Sequence, residues 1–173
     1  AHLSTRRRRT ALVGESDRAT VAALSEYVRE QFVRHYAVPV ERIAVIPNAV
    51  KLHPPVEAAR IEEFRSMVRS RLGMAEGEEP AIFLFAANNF RLKGLGPLLE
   101  AMRRASVWPS ARPIVVAVAG SGRAGPYLQR ARRLGIAERV LFLGAVADMP
   151  AAIAGCDTAV LPTYYDPSSR FIL

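Results

Sequence analysis

A single cysteine, Cys156, leaves this 173-residue sequence without an intrachain disulfide, so no covalent staple organises the fold and a reducing compartment is the simpler setting. Cys156 itself is expected as a small buried hydrophobe. The only histidines, His2, His35 and His53, lie far apart with no cysteine or second histidine at ligand spacing, so no structural metal is expected. No apolar run approaches the roughly 18–20 residues of a bilayer-spanning helix, because arginine or glycine interrupts each candidate. Aromatics are 8% of the chain and do not interleave with arginine as a base-stacking platform would require. That absence argues against a nucleic-acid module.

What is present is a half-apolar chain, enough for one real core, carrying a formal net charge of +8 and a pI near 10.5. The excess is mostly arginine and favours anionic partners: nucleic acid, phosphorylated ligands or an acidic membrane surface. Its densest run, Arg6-Arg7-Arg8-Arg9, reads as a solvated stretch of a terminal helix, with contact to anionic headgroups as the alternative. Residues 1–19 are therefore taken as a basic lead-in, and residues 20–173 as the domain proper.

Beyond the lead-in, short apolar segments alternate with amphipathic helical patterns, the signature of βαβ units. Strands are predicted at Thr20–Leu24, Ile43–Ile46, Ala81–Ala86, Ile114–Ala119, Val140–Leu143 and Thr158–Leu161. Most are continuous apolar runs, as expected for parallel strands buried on both faces. Helices are predicted at Glu26–Tyr36, Pro55–Leu72, Pro97–Ala105, Pro126–Leu134 and Met149–Ala154, with Ser25 as an N-cap and Gly73 and Gly135 as stops. The fold class this implies is α/β, a Rossmann-like parallel sheet with helices on both faces.

Three segments carry chemistry. Gly120-Ser121-Gly122-Arg123-Ala124-Gly125 matches G-x-G-x-x-G between a strand and a helix, which suggests a dinucleotide site. However, the next strand ends at Gly144 without the acid that would hold the ribose, since Glu138 comes too early and Asp148 too late. An NAD-dependent oxidoreductase is thus the weaker reading. Asn88-Asn89-Phe90-Arg91-Leu92-Lys93-Gly94 follows a buried strand and leads into a helix, placing a point charge at Lys93 and a planar fork at Arg91 beside helix-end N–H groups, a setting suited to a diphosphate. Finally, Asp166, Ser168 and Ser169 follow the last strand, where open α/β sheets bind ligands; a turn and helix caps explain them equally well.

The order of these segments resembles a family. Ala22-Ala23-Leu24-Ser25-Glu26-Tyr27-Val28, Arg42-Ile43-Ala44-Val45-Ile46-Pro47-Asn48-Ala49-Val50, Asn89-Phe90-Arg91-Leu92-Lys93-Gly94, Val118-Ala119-Gly120-Ser121-Gly122, Arg139-Val140-Leu141-Phe142-Leu143-Gly144 and Ala154-Gly155-Cys156-Asp157-Thr158-Ala159-Val160-Leu161-Pro162 resemble, in register, the C-terminal domain of retaining glycosyltransferases built from two Rossmann-like domains. The glycogen synthase, sucrose synthase and lipopolysaccharide-core enzymes represent that superfamily, and the hexosyltransferases of lipopolysaccharide cores are the nearest in flavour. The likeness runs from about Thr20 to Leu173.

The resemblance implies donor binding with a UDP- or GDP-sugar, no metal or other cofactor, and transfer of a hexose with retained configuration. Lys93 and Arg91 would neutralise the leaving diphosphate and Asp166 would meet the sugar hydroxyls. Asn89, Gly120, Ser121, Gly122, Gly144, Ala145, Ser168 and Ser169 would line the donor. Partners would be the nucleotide sugar and a glycan or lipid-linked saccharide acceptor, in a cytoplasmic protein peripheral to the inner face of the membrane. The pattern departs at three places: Asn88 stands where the family carries Arg, Ala49 where it carries Gly, and Asp166 where Glu is usual. The family's second acid is expected eight residues after Asp166, one beyond Leu173, so the domain is expected to be incomplete at its C-terminus and to bind donor rather than turn it over alone.

Overall fold

The computed structural model describes residues 20–50, 54–105 and 112–166. They fall in two compact units, residues 20–50 with 166 and residues 54–105 with 112–165, each of which is taken by itself below.

The first unit is one βαβ turn of chain. Strand β1 (Val21–Ala23) leads through helix α1 (Glu26–Tyr36) to β2 (Ile43–Val45), which pairs parallel to β1 from Val21 opposite Ile43 to Ala23 opposite Val45. Ser25 caps α1 as expected, its hydroxyl accepting from the Val28 N–H at 3.3 Å, and Glu26 in the first turn with Arg34 and His35 in the last suit the helix dipole. The helix ends at Ala37, whose left-handed backbone returns its N–H to the Phe32 and Val33 carbonyls. Ala23, Val38 and Ile43 are the buried centre of this unit. Both strands are shorter than the apolar runs that predicted them, although the Ile46 N–H still reaches the Ala23 carbonyl at 2.8 Å.

The second unit holds a four-stranded parallel sheet in the order β5-β4-β3-β6, built from β3 (Ala81–Ala86), β4 (Ile114–Ala119), β5 (Val140–Gly144) and β6 (Thr158–Ala159). Helices α2 (Ala58–Arg71), α3 (Leu95–Ala105), α4 (Gly125–Arg133) and α5 (Met149–Gly155) cover it. Alternate residues of a strand face opposite sides, and the burial obeys this. Phe85, Val116 and Val118 pack with Leu95, Leu99 and Met102 of α3 and with Ala131 of α4. The intervening Ile82, Leu84, Val115 and Ala117 are equally buried, on the side where α2 and α5 pack on each other. There Gly155 lies so close to α2 that a Cβ would meet the Phe64 ring at 2.7 Å. The layers are those of the expected Rossmann-like α/β class.

Element limits differ from the sequence reading in instructive places. Helix α2 starts at Ala58 rather than Pro55, with Glu57 extended before it. Helix α3 starts at Leu95, ahead of Pro97, because proline is tolerated throughout the first turn, where N–H groups have no intrahelical partner. The last strand shrinks from Thr158–Leu161 to two residues, although the Val160 N–H still reaches the Leu84 carbonyl at 2.9 Å. Helices α2 and α4 do stop where Gly73 and Gly135 take left-handed backbone. Cys156 is only half-buried, its thiol donating to the Ile153 carbonyl at 3.0 Å, and burial pushes that thiol's pKa up.

The amino ends of β3 and β6 are tied by charge. Asp157 takes the Ile82 N–H at 2.8 Å and the Arg112 and Arg65 guanidiniums at 2.9 and 3.4 Å, while its own N–H donates to the Ile82 carbonyl at 2.8 Å. Burial alone would raise the Asp157 carboxyl, but the Ile82 N–H and the two arginines outweigh it and hold the pKa below the ordinary value. A lowered carboxyl pKa stabilises above the unfolded value, near 4, and that stability is lost as pH falls through the folded one. Asp157→Asn should therefore destabilise the fold by about 1–3 kcal/mol at pH 7, and urea unfolding should show the gap to the parent protein narrowing as pH falls below about 4.

Candidate functional site

Because β3 to β6 are parallel, the loops that follow them gather along one edge of the sheet. The order β5-β4-β3-β6 also means that the chain moves outward from β3 through β4 to β5 and then crosses to the far side of β3. The crevice between the β3 and β6 loops is thus the point where strand order reverses, the usual ligand position in such sheets.

The loop after β3 is a compact turn held from within. The Asn89 side chain accepts the Leu92 N–H at 3.0 Å, the Asn89 carbonyl accepts the Lys93 N–H at 3.0 Å, and the Leu95 N–H returns to the Phe90 carbonyl at 3.0 Å. Phe90 is buried against Phe85, Tyr127 and Phe142 and roots the turn in the core. Its neighbours are consequently fixed outward: Arg91 is exposed and Lys93 half-buried. Gly94 completes the turn at φ 83, with its α-carbon against the β6 loop; a Cβ there would sit 1.8 Å from the Pro162 carbonyl oxygen. The Leu92 carbonyl accepts from the Tyr164 N–H at 3.1 Å and the Thr163 hydroxyl at 3.2 Å, closing the crevice floor between β3 and β6.

The loop after β4 is tied to the same turn. The Asn88 side-chain oxygen accepts both the N–H and the hydroxyl of Ser121 at 3.0 Å, and the Gly120 N–H donates to the Gly144 carbonyl at 2.7 Å. Gly120 has φ 128, and a Cβ on it would lie 1.9 Å from the Ala87 carbonyl oxygen; one on Gly122 would meet Asn88 and the Phe90 ring below 3 Å. Their absent side chains thus let two loops touch. Gly125 differs: a Cβ there meets nothing within 4 Å, so the third glycine of G-x-G-x-x-G does not make the close helix packing that a dinucleotide fingerprint requires. Asp148, the other acid in that argument, caps α5 through the Ala151 N–H at 3.1 Å and pairs with Arg60 at 2.6 Å. The hydrogen bond from Arg60, followed by that from Ala151, holds its carboxyl below the ordinary range.

Three clefts open on this edge. One of about 470 Å³ is lined by Ala87, Gly120, Ser121, Ala145 and Val146 among others; a second of about 510 Å³ by Asn88, Asn89, Arg91, Gly122, Arg123 and Tyr127; and a third of about 660 Å³ by Asn89, Arg91, Pro97, Tyr127, Arg130 and Tyr164. The structure thus brings Asn89 and Arg91 together, and separately Gly120, Ser121 and Ala145, with Gly144 bonded behind them. Asp166 belongs to the first unit, and Ser168, Ser169 and Arg6 to Arg9 lie outside the described residues. Asn88 was noted in the sequence only as a missing arginine, yet it is the link between the two loops. Tyr127 and Tyr164 gave no spacing signal. Among the described residues, no group of three His, Cys, Asp or Glu side chains could hold a metal ion, and no helix is long and apolar enough to cross a membrane.

Comparison with known proteins adds the family. The model for glycosyl transferases group 1 matches residues 80–173, more than half of the chain and all four loops just described. The chain belongs to the glycosyl transferases group 1. No curated protein sequence matches it. Among solved structures of similar fold, HepE of Anabaena, in complex with UDP and glucose, superposes with a TM-score of 0.77 at 23% identity over 98% of this chain and 44% of its own. WaaG, a glycosyltransferase involved in lipopolysaccharide biosynthesis, gives 0.64 at 22% identity over 87% of this chain and 40% of its own. TarM of S. aureus gives 0.70 at 13% identity over 97% of this chain and 29% of its own. This chain therefore spans less than half the length of each.

The two outer glycines of the Gly120 to Gly125 run should respond to substitution in opposite directions. Gly120→Ala forces both a left-handed backbone and a backbone clash and should lower stability by about 2 kcal/mol or more. Gly125→Ala, at the open first turn of α4, should be neutral or stabilise by up to about 1 kcal/mol. Urea unfolding midpoints of the two variants provide the check.

Proposed function

We propose that this group 1 glycosyl transferase chain binds a nucleotide diphosphate sugar, UDP- or GDP-linked, for a retaining transfer of a hexose to a glycan or lipopolysaccharide-type acceptor. The observation that carries the reading is the Asn89-to-Gly94 turn, which holds Arg91 and Lys93 in the loop after β3, beside the reversal of strand order, in a chain of this family. HepE, of similar fold, was solved with UDP and with UDP-glucose, and WaaG acts in lipopolysaccharide biosynthesis; both support the choice of donor and acceptor class.

As the glycosidic bond breaks, negative charge accumulates on the leaving diphosphate. A cation preorganised where that charge appears stabilises the transition state more than the bound donor. In this reading Lys93 is the principal point charge, and Arg91 adds a second at the turn's outer side. The cleft of about 470 Å³ at Gly120, Ser121 and Ala145 takes the nucleoside, the carbonyls and N–H groups of that loop reading the base. Asp166 meets the sugar hydroxyls, with Ser168 and Ser169 at the distal phosphate. The acceptor is a saccharide presented at a membrane, and the basic stretch Arg6 to Arg9 meets anionic headgroups on its cytoplasmic side. No metal or other cofactor takes part in this reading, the cations being arginine and lysine.

Calorimetry with UDP, GDP, NAD and a random oligonucleotide, each titrated separately, separates this reading from its rivals: only the nucleoside diphosphates should bind. Lys93→Ala should weaken UDP by about 1.5–3 kcal/mol, the value of a hydrogen bond to a charged group, and leave uridine almost unaffected. Equal losses for both ligands would remove Lys93 from the phosphate position. Replacing Arg6 to Arg9 by serine should reduce co-sedimentation with anionic liposomes at low salt, and unchanged sedimentation would exclude the membrane role of that stretch.

A further inference from the structure

The donor reading seats the nucleoside in the cleft at Gly120 and Ala145 and takes only Asn89 and Arg91 from the walls of the two larger ones. These share Asn89, Arg91 and Tyr127, so they are halves of one groove running past the β3 turn and across the starts of α3 and α4. Arg123 stands in one half, Arg130 in the other and Arg91 in both. No carboxylate lines either half.

Two details show how the groove keeps its cations. Arg130 is held by Glu100 of α3 at 2.9 Å, with its side chain still 42% exposed, and glycine at position 96 leaves space for it, since a Cβ would come within 3.1 Å of its guanidinium. Arg91 and Arg123 are exposed, and their side chains have no hydrogen-bond or ion-pair partner among the described residues. Between the cations lie flat apolar surfaces: Tyr127, set edge-on to the buried Phe90 at 5.7 Å, Pro97, and Tyr164, which is 72% exposed. The Asn89 oxygen is engaged by Leu92, which orients its NH2 group as a remaining donor.

Planar forks suited to anionic oxygens, an amide donor for hydroxyls, and tyrosine faces for a ring's C–H surface together match one ligand chemistry. The volume of about 660 Å³ in the larger half is that of a ligand-sized cleft, roughly 300–1,000 Å³. We propose that this groove binds a saccharide bearing a phosphate or carboxylate, and that it seats an anionic sugar of the acceptor. The proposal rests on the transferase reading for the word acceptor; the binding site itself does not depend on it.

The test is calorimetry on the full chain with glucose 6-phosphate, maltose and inorganic phosphate, each with and without saturating UDP. Glucose 6-phosphate should bind at least tenfold tighter than either maltose or phosphate, and UDP should not compete with it. Arg123→Gln and Arg130→Gln should each weaken it at least fivefold, and Tyr127→Phe, which keeps the ring on Phe90, should preserve it. All three should retain the parent affinity for UDP, whereas Lys93→Ala should lose UDP and keep glucose 6-phosphate. Phosphate binding as tightly as the sugar phosphate would reduce the groove to an unspecific anion site, and competition by UDP would fold it into the donor site; either overturns the proposal. Loss of UDP binding alone would instead count against the donor reading.

Discussion

The contact between the Ala87 carbonyl and the bare α-carbon of Gly120 is the constraint on which the rest of the edge depends. Loops after adjacent parallel strands normally stand apart by their side chains. Here one side chain is missing, so the β3 and β4 loops meet at backbone distance, and Asn88 can reach Ser121 with a single oxygen. With that junction closed, Phe90 is driven into the aromatic cluster, and the short turn it roots must direct Arg91 and Lys93 outward. The cations are thus positioned by a close backbone approach in which neither takes part.

Charge is divided between the two ends of the sheet. At the amino ends, Asp157 and Glu79 gather Arg65, Arg69 and Arg112 into a network that joins β3, β6 and α2. At the carboxyl edge none of the three clefts described is lined by an acid, and the two larger ones have arginine in their walls. At that edge Arg130 is paired with Glu100, whereas the side chains of Arg91 and Arg123 have no partner among the described residues.

How legible this was in the sequence follows from the range of each interaction. The runs Ala81–Ala86 and Ile114–Ala119 coincide with β3 and β4, because strands buried on both faces need an apolar residue at every position. Ser25 and the glycines ending α2 and α4 were readable because caps are local. The short last strand was not, since its length depends on how far β3 offers a free edge. Asn88 was read as a gap in a family pattern, because its partner lies 33 residues away and nothing in the spacing reveals the pairing. Arg91 and Lys93 were legible as a pair of cations; the grooves that distinguish them come from Tyr127 and Tyr164, contributed by other segments.

The strand order has a consequence for how the chain is made. Strand β3 pairs with β4 soon after it emerges, but its other edge waits for β6, and the bonds that close it join Ile82 to Asp157, 75 residues later. During synthesis the apolar segment from Ile82 to Phe85 therefore presents an open edge while α3, β4, α4, β5 and α5 are added, the period in which an unpaired strand is prone to wrong partners. A β6 of only two residues is a small seal for so long an exposure, and the arginine-clasped carboxylate beside it makes the late closure selective for the right segment.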